Sequence, residues 1–305
     1  MPDKNVDVRG TKMIRAATLV VALAAAGYFA LPWVYLGWKA AISACPLRES
    51  WLAARRTQAR VMEPIELASR VIRVEAGFKL VHTPKGEFWV PSGMDKILTL
   101  FLWQQSAKIY GSGERGVHAG DIVVDGGANV GVFTREALSL GAARVIAVEP
   151  GPENVEALRR TFTTEIAAGK VTIYAKGVWD KDDVLALYVF PHNSGADSFV
   201  VNGPAPHTEV KVPVTTIDRM VAELGLPRVD FVKLDIKGAA PKALLGAKQT
   251  LAAFHPRLAI STEEPKDFAE FIQGPIQAGW SGYRRECGMC ALFREGFVPM
   301  VMFYR

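Results

Sequence analysis

The pattern of polar and apolar positions changes at about Val71. Beyond it, short apolar runs alternate with stretches of helical spacing. The runs at 122–125, 145–149, 171–175, 231–235 and 258–262 are largely β-branched, as in strands buried on both faces of a parallel sheet. Positions 133–139, 153–162, 217–224, 241–254 and 267–278 instead repeat their apolar residues with a helical period. Strand and helix in this rhythm predict an α/β fold, a doubly wound Rossmann-like sheet with right-handed crossovers. Ahead of it, 78–83 and 86–90 flank the turn Pro84-Lys85 as a hairpin, and an apolar helix follows near 96–110.

The chain before Val71 has another pattern. No charged residue occurs from 16 to 38, and at about 1.5 Å per residue this run crosses a hydrocarbon core of about 30 Å. Lys4, Arg9, Lys12 and Arg15 precede it, and Tyr28, Trp33, Tyr35 and Trp38 crowd its second half, where amphipathic rings favour the headgroup layer. A cleavable signal peptide would leave that aromatic half as an exposed apolar tail, so the segment reads as one uncleaved transmembrane helix whose partner is the lipid bilayer. Lys39, Arg48, Arg55 and Arg56 balance the basic residues on the other side, and the positive-inside count is a tie. The expected organisation is a tail (1–15), an anchor (16–38), a juxtamembrane helical linker (39–70) and one domain (71–305).

Composition narrows the functional classes. Half of the residues are hydrophobic, enough for a large core, and the net charge of +5 is spread along the chain rather than gathered into a nucleic-acid-sized patch. Nucleic acid is therefore not an expected partner. Three cysteines are too few for a disulfide-stapled scaffold. Cys287 and Cys290 have the spacing of a metal half-site but lack a second pair, so they read as two free thiols and no metal is expected.

The chemistry is concentrated in one loop, Asp125-Gly126-Gly127-Ala128-Asn129-Val130-Gly131, between a strand and a helix. Glycines let the backbone turn sharply and approach a ligand, and the helix start offers unpaired N–H groups. About twenty residues on, the second strand ends at Glu149, where a carboxylate can accept both hydroxyls of a ribose. No Gly-Lys-Ser/Thr phosphate loop and no Gly-x-Gly-x-x-Gly occur. Without a pyrophosphate to cradle, the loop suits the amino-acid end of S-adenosylmethionine, with Asp125 acting on its amino group directly or through water.

Val123-Val124-Asp125-Gly126-Gly127-Ala128-Asn129-Val130-Gly131, then Val148-Glu149-Pro150, Val214-Thr215-Thr216-Ile217-Asp218 and Phe231-Val232-Lys233-Leu234-Asp235-Ile236 resemble the FkbM-type family of class I methyltransferases. The resemblance implies a seven-stranded sheet ending in an antiparallel hairpin, for which 290–293 and 298–304 are candidates. It also implies S-adenosylmethionine as cofactor. Gly127, Asn129 and Gly131 would line its methionine end, Glu149 would bind ribose, Gly177 and Val178 would lie near adenine, and Asp235 would face the methyl group as a catalytic residue. His192 and His207, in the polar stretch 191–207, are further candidates for a base or for acceptor lining, and Ser198 lies in the same stretch.

One motif departs from the family. Where acid-Gly-x-acid is usual after Asp235, this chain has Lys237-Gly238-Ala239-Ala240. A lysine at the mouth of the site could attract an anionic acceptor. Two readings follow: a membrane-anchored methyltransferase with a cytoplasmic domain, acting on oxygen of a membrane-proximal acceptor, or a catalytically inactive relative serving as a structural subunit of a membrane complex, for example a photosynthetic or respiratory one.

Overall fold

The computed structural model describes Cys45 and residues 58–190, 193–200, 207–264, 269–293 and 296–305. The expected tail, the anchor 16–38, most of the linker and His192 lie outside these residues. Among the described residues no helix is long and apolar enough to cross a membrane. The chain divides into two compact units, one of 1–55 with 291–298 and the other of 56–290 with 299–305.

The larger unit opens with α1 (Gln58–Ala68), the antiparallel sheet β1 (Arg70–Glu75), β2 (Phe78–Thr83) and β3 (Gly86–Pro91), and α2 (Asp95–Ser106). Next come β4 (Ile122–Gly126), α3 (Val132–Ser139), β5 (Arg144–Val148), α4 (Pro152–Thr161), α5 (Thr163–Ala167) and β6 (Val171–Tyr174). A second small sheet, β7 (Gly177–Val178), β8 (Asp183–Val189) and β9 (Thr208–Thr215), leads to α6 (Ile217–Glu223). The chain returns through β10 (Phe231–Leu234), α7 (Ala240–Leu245), α8 (Lys248–Phe254), β11 (Arg257–Ser261), α9 (Ala269–Gly279) and β12 (Arg285–Cys287). After β13 (Cys290–Phe293) and β14 (Gly296–Pro299), β15 (Val301–Tyr304) closes the main sheet.

That sheet has seven strands in the order β12-β15-β11-β10-β4-β5-β6. Strands β11, β10, β4, β5 and β6 are parallel, and β15 runs antiparallel to both its neighbours. Every residue of β4 and β10 is buried, as two-sided coverage by helices requires. One face packs Val124, Ile146, Val232 and Ile260 against Met220, Leu244, Leu251 and Ile276 from the helices. The strand order reverses at β4, between β5 and β10, so the loops leaving β4 and β10 diverge and open a crevice at the carboxyl ends of the strands.

Three expectations change. The antiparallel partner of β15 is β12, whereas 290–293 pairs with β14 in a separate two-stranded sheet. The edge segment Arg285-Glu286-Cys287 carries no apolar signal, and Cys290-Ala291-Leu292-Phe293 does. The expected helix 241–254 is two helices, because Asp218 accepts the Gln249 and Thr250 N–H groups and so caps a fresh helix start. Of the two thiols expected to be free, Cys290 is disulfide-bonded, a pairing that local spacing does not reveal.

A buried carboxylate ties the first sheet to the second layer. Glu136 of α3 accepts Lys85 from the β2–β3 turn at 2.7 Å and also pairs with Lys108. Burial alone would raise its carboxyl, but the two lysines outweigh burial and hold it below the ordinary range. A carboxylate with a lowered folded-state pKa stabilises above its unfolded value and loses that contribution as pH falls. We predict that Glu136→Gln costs about 1–2 kcal/mol at pH 7, with the difference from wild type shrinking below about pH 4, as read by urea unfolding.

Candidate active site

The floor of the crevice is set by Lys233, in the middle of β10. This residue is only 3% exposed, and its ammonium donates to Asp125 Oδ1 at 3.0 Å, to the Gly126 carbonyl at 3.2 Å and to the Gly127 carbonyl at 2.7 Å. All three of its N–H groups are thus directed at the turn that leaves β4. The other Asp125 oxygen accepts Thr134 Oγ1 at 2.7 Å. Gly127 has φ +73°, and a Cβ there would overlap the Asp235 carbonyl; Gly131 has φ +89°, and a Cβ there would overlap Phe162. Neither position accepts a side chain.

Two of the expected residues sit away from the cavity wall. Asp125 is fully buried beneath the loop, where its carboxylate pairs with Lys233. Gly131 precedes α3 and packs on Phe162 and Leu158, also outside the crevice. Gly127 and Asn129 do line it. Asn129 holds a left-handed φ of 51°, which aims its backbone N–H at Glu149 Oε2 (2.9 Å) and its amide at the Ser194 carbonyl (3.1 Å).

A cavity opens in this crevice at the carboxyl ends of the strands. Glu149, Gly177, Val178, Asp235 and Lys237 all contribute to its wall, which brings the expected ribose, adenine and methyl-facing residues into one space. Glu149 is 5% exposed, and besides Asn129 it accepts the Gly151 N–H at 2.8 Å and the Asn154 amide at 3.3 Å. Burial raises its carboxyl, and these three donors oppose the rise. Asp197, also in the wall, accepts the Phe190 N–H at 2.9 Å, its one hydrogen bond among the described residues. Burial, then repulsion from Glu149 and Glu153, raises its carboxyl to about 7.

At the end of β10, Asp235 accepts the buried Tyr110 hydroxyl at 2.7 Å through Oδ2, while Oδ1 is buried without a hydrogen-bond donor. Lys237 lies 3.8 Å from that oxygen and 3.6 Å from Glu263 Oε2. Burial works to raise Asp235, but Lys237, Lys233 and the Tyr110 hydroxyl bring it below the ordinary aspartate range. Asp235 followed by Glu263 holds Lys237 protonated well above the ordinary lysine range. The cation is matched by carboxylates on two strands' ends and is not free to recruit an anionic acceptor. Glu263 also places a carboxylate beside the one motif whose acids are missing.

Ser198 donates to the Lys237 carbonyl at 2.7 Å and borders the cavity. His207 packs against Tyr188 and Phe190 and does not line the cavity; His192 lies outside the described residues. Sequence reasoning missed Lys233, Tyr110 and Glu263. For Lys233 a signal existed: a lone cation inside the apolar strand Phe231-Val232-Lys233-Leu234 needs a buried partner. Tyr110 and Glu263 reach the site from loops with no local pattern.

Residues 125–288 match the methyltransferase FkbM domain. The match spans more than half of the chain, and the chain belongs to that family of S-adenosylmethionine-dependent methyltransferases. The fold is that of a Rossmann-like methyltransferase, and the family's cofactor is S-adenosylmethionine. Among solved structures the chain is similar to methyltransferase FkbM from Methylobacillus flagellatus KT, at 19% identity and a TM-score of 0.47, over 71% of this chain and 56% of that one. It is also similar to the SAM-dependent methyltransferase from Agrobacterium tumefaciens, at 9% identity and a TM-score of 0.42, over 76% and 71%. The chain thus spans about half the length of the Methylobacillus protein. No curated relative matches.

Two outcomes follow from the electrostatics. Lys233→Met leaves Asp125 buried without its counter-charge and should cost about 3–5 kcal/mol; adding Asp125→Leu should restore part of it, as measured by denaturant unfolding. For Asp197, whose folded value is raised, the stabilising contribution is full below about pH 4 and is lost as pH rises through about 7. Asp197→Asn should therefore exceed wild type in stability at pH 8, by on the order of 2–4 kcal/mol, and lose that advantage towards pH 4.

Proposed function

We propose that this chain is a membrane-anchored methyltransferase that transfers the methyl group of S-adenosylmethionine to an oxygen of a membrane-proximal acceptor. The observation that carries the proposal is that Glu149 and Asp235 open onto one cavity across the loop Gly127 to Asn129. The bound cofactor supplies a methyl group activated by a sulfonium. Methyl transfer is an in-line displacement, so holding the acceptor in line supplies much of the acceleration.

The residues divide the work by position. Glu149 presents a carboxylate to ribose hydroxyls at the end of β5. Gly177 and Val178 offer the flat apolar wall that adenine needs. Asp235, ionised and fixed through Oδ2, places negative charge near a cationic sulphur and the acceptor. Its lowered pKa suits it to orient a hydroxyl more than to remove the proton. Glu263 leaves the acceptor side with a second carboxylate beside Lys237, which favours an active enzyme over a scaffold that has lost its chemistry.

Anchoring rests on the uncharged run 16–38. A domain that uses S-adenosylmethionine belongs on the cytoplasmic side, where that cofactor is made. The acceptor is then a lipid-linked, glycan or other molecule within reach of the bilayer.

The test uses the full chain in lipid nanodiscs. Titration should give saturable binding of S-adenosylhomocysteine, weakened roughly tenfold by Glu149→Gln and changed little by Asp235→Asn. With methyl-labelled S-adenosylmethionine and a membrane extract, label should enter a base-stable, lipid-extractable product, and Asp235→Asn should slow that transfer. A folded chain that binds no S-adenosylhomocysteine would overturn the enzyme; label confined to water-soluble products would overturn the acceptor class.

A further inference from the structure

Among the described residues eight large apolar side chains are exposed, and four of them, Leu67, Val71, Ile72 and Val74, fall within residues 67–74. Exposed apolar residues scattered singly are ordinary; gathered together they mark a contact surface. This stretch runs from the end of α1 into β1, and every residue of β1 is exposed. The core beneath the sheet is filled by its other strands, where Val81, Phe88 and Val90 pack on Leu98 and Leu102 of α2. No residue of β1 joins that cluster, and β1 forms the edge of its sheet.

The charges interleaved with these residues have one sign. Between Glu66 and Glu75 only Arg70 and Arg73 are charged, and Lys79 of β2 stands opposite Val74. Glu75 lies 3.6 Å from Arg73, but both side chains are 57% exposed, and an ion pair so wetted holds little. Two kinds of occupant compete for such an edge. A strand from a second copy needs a regular ladder, whereas the register of β1 shifts between Val71 and Arg73, a bulge of the kind that blunts an edge against pairing. A bilayer needs only apolar side chains for its headgroup layer and cations for its phosphates, and β1 offers both. Chain connectivity favours the bilayer too, since only residues 39–57 separate the uncharged run from α1.

We infer that Leu67, Val71, Ile72 and Val74, with Arg70 and Arg73, form a second membrane contact that seats the domain on an anionic lipid surface. The inference rests on the membrane-anchored reading and adds to it: the anchor keeps the chain at the bilayer, and the patch sets how the domain lies there. The consequence reaches the site through α2. This helix packs under the sheet and carries Phe101 into the cavity wall, so seating the sheet fixes how the cavity is presented to the bilayer.

The test uses the full chain in vesicles of phosphatidylcholine and phosphatidylglycerol, with photoreactive p-benzoylphenylalanine in place of Val74 or, separately, of Val184. Val184, on β8, is 60% exposed against 64% for Val74 and serves as the comparison. Irradiation should attach a phospholipid at position 74, read as an added lipid mass, and none at position 184. The lipid adduct should fall about fivefold for each of Arg70→Gln and Arg73→Gln, and should fall likewise in vesicles of phosphatidylcholine alone; thermal unfolding checks that each variant is folded. A chain-to-chain adduct at position 74 would assign the edge to a second copy and overturn the inference. Equal lipid yield at both positions, no adduct at either, or a yield indifferent to the arginines and to anionic lipid would each overturn it as well. Alkaline extraction of the same vesicles reads the anchor separately. A chain that washes off overturns the anchored reading and this inference with it, whereas a chain that stays without a lipid adduct at position 74 overturns this inference alone.

Discussion

The site depends on a single buried cation. A lysine inside a parallel strand is costly unless its charge and all its donors are matched. Here Lys233 meets one carboxylate and two backbone carbonyls, and those carbonyls belong to the glycines that must turn. The ion pair therefore does more than neutralise charge. It fixes the direction in which the chain leaves β4, and through that the placement of Asn129 against Glu149 and of Gly127 against Asp235. The same arrangement accounts for the burial of Asp125, whose task is to hold the lysine.

Compensation of a different kind governs the acceptor side. Asp235, Lys237 and Glu263 form a line of alternating charge within 4 Å of one another in turn. Removing family acids at 237 and 240 leaves this part of the pocket with carboxylates, because Glu263 arrives from the neighbouring strand's end. Ala240 is buried at the start of α7 and packs in the core, where an ionised side chain would need a partner. The altered motif thus changes which strand supplies the acid, and it converts Lys237 from an outward-facing attractor into an internal brace.

Much of the architecture was legible along the chain, since strands buried on both sides declare themselves as β-branched runs and the glycine loop announces the first crossover. The limits have physical causes. Strand β9 contains Pro213, which argues against a strand, and was passed over together with β8. Edge strand β12 is Arg-Glu-Cys and has no apolar signature. The break between α7 and α8 is imposed by Asp218, some thirty residues upstream. In the site, Glu149, Gly127 and Asn129 border the cavity, whereas Asp125 and Gly131 lie beneath the loop, because an acid or a glycine beside a ligand loop has the same local sequence whether it faces the cavity or supports the loop from below.

The segment Thr216-Ile217-Asp218 shows what such ambiguity means for lineages of this fold. Thr216 Oγ1 accepts the Arg219 N–H at the start of α6, Ile217 is buried in the core, and Asp218 caps α8. None of the three lines the cavity. A descendant that had abandoned methyl transfer would still be under pressure to keep this signature, because it serves two helix starts and the core, so its presence reports on the scaffold and not on the chemistry.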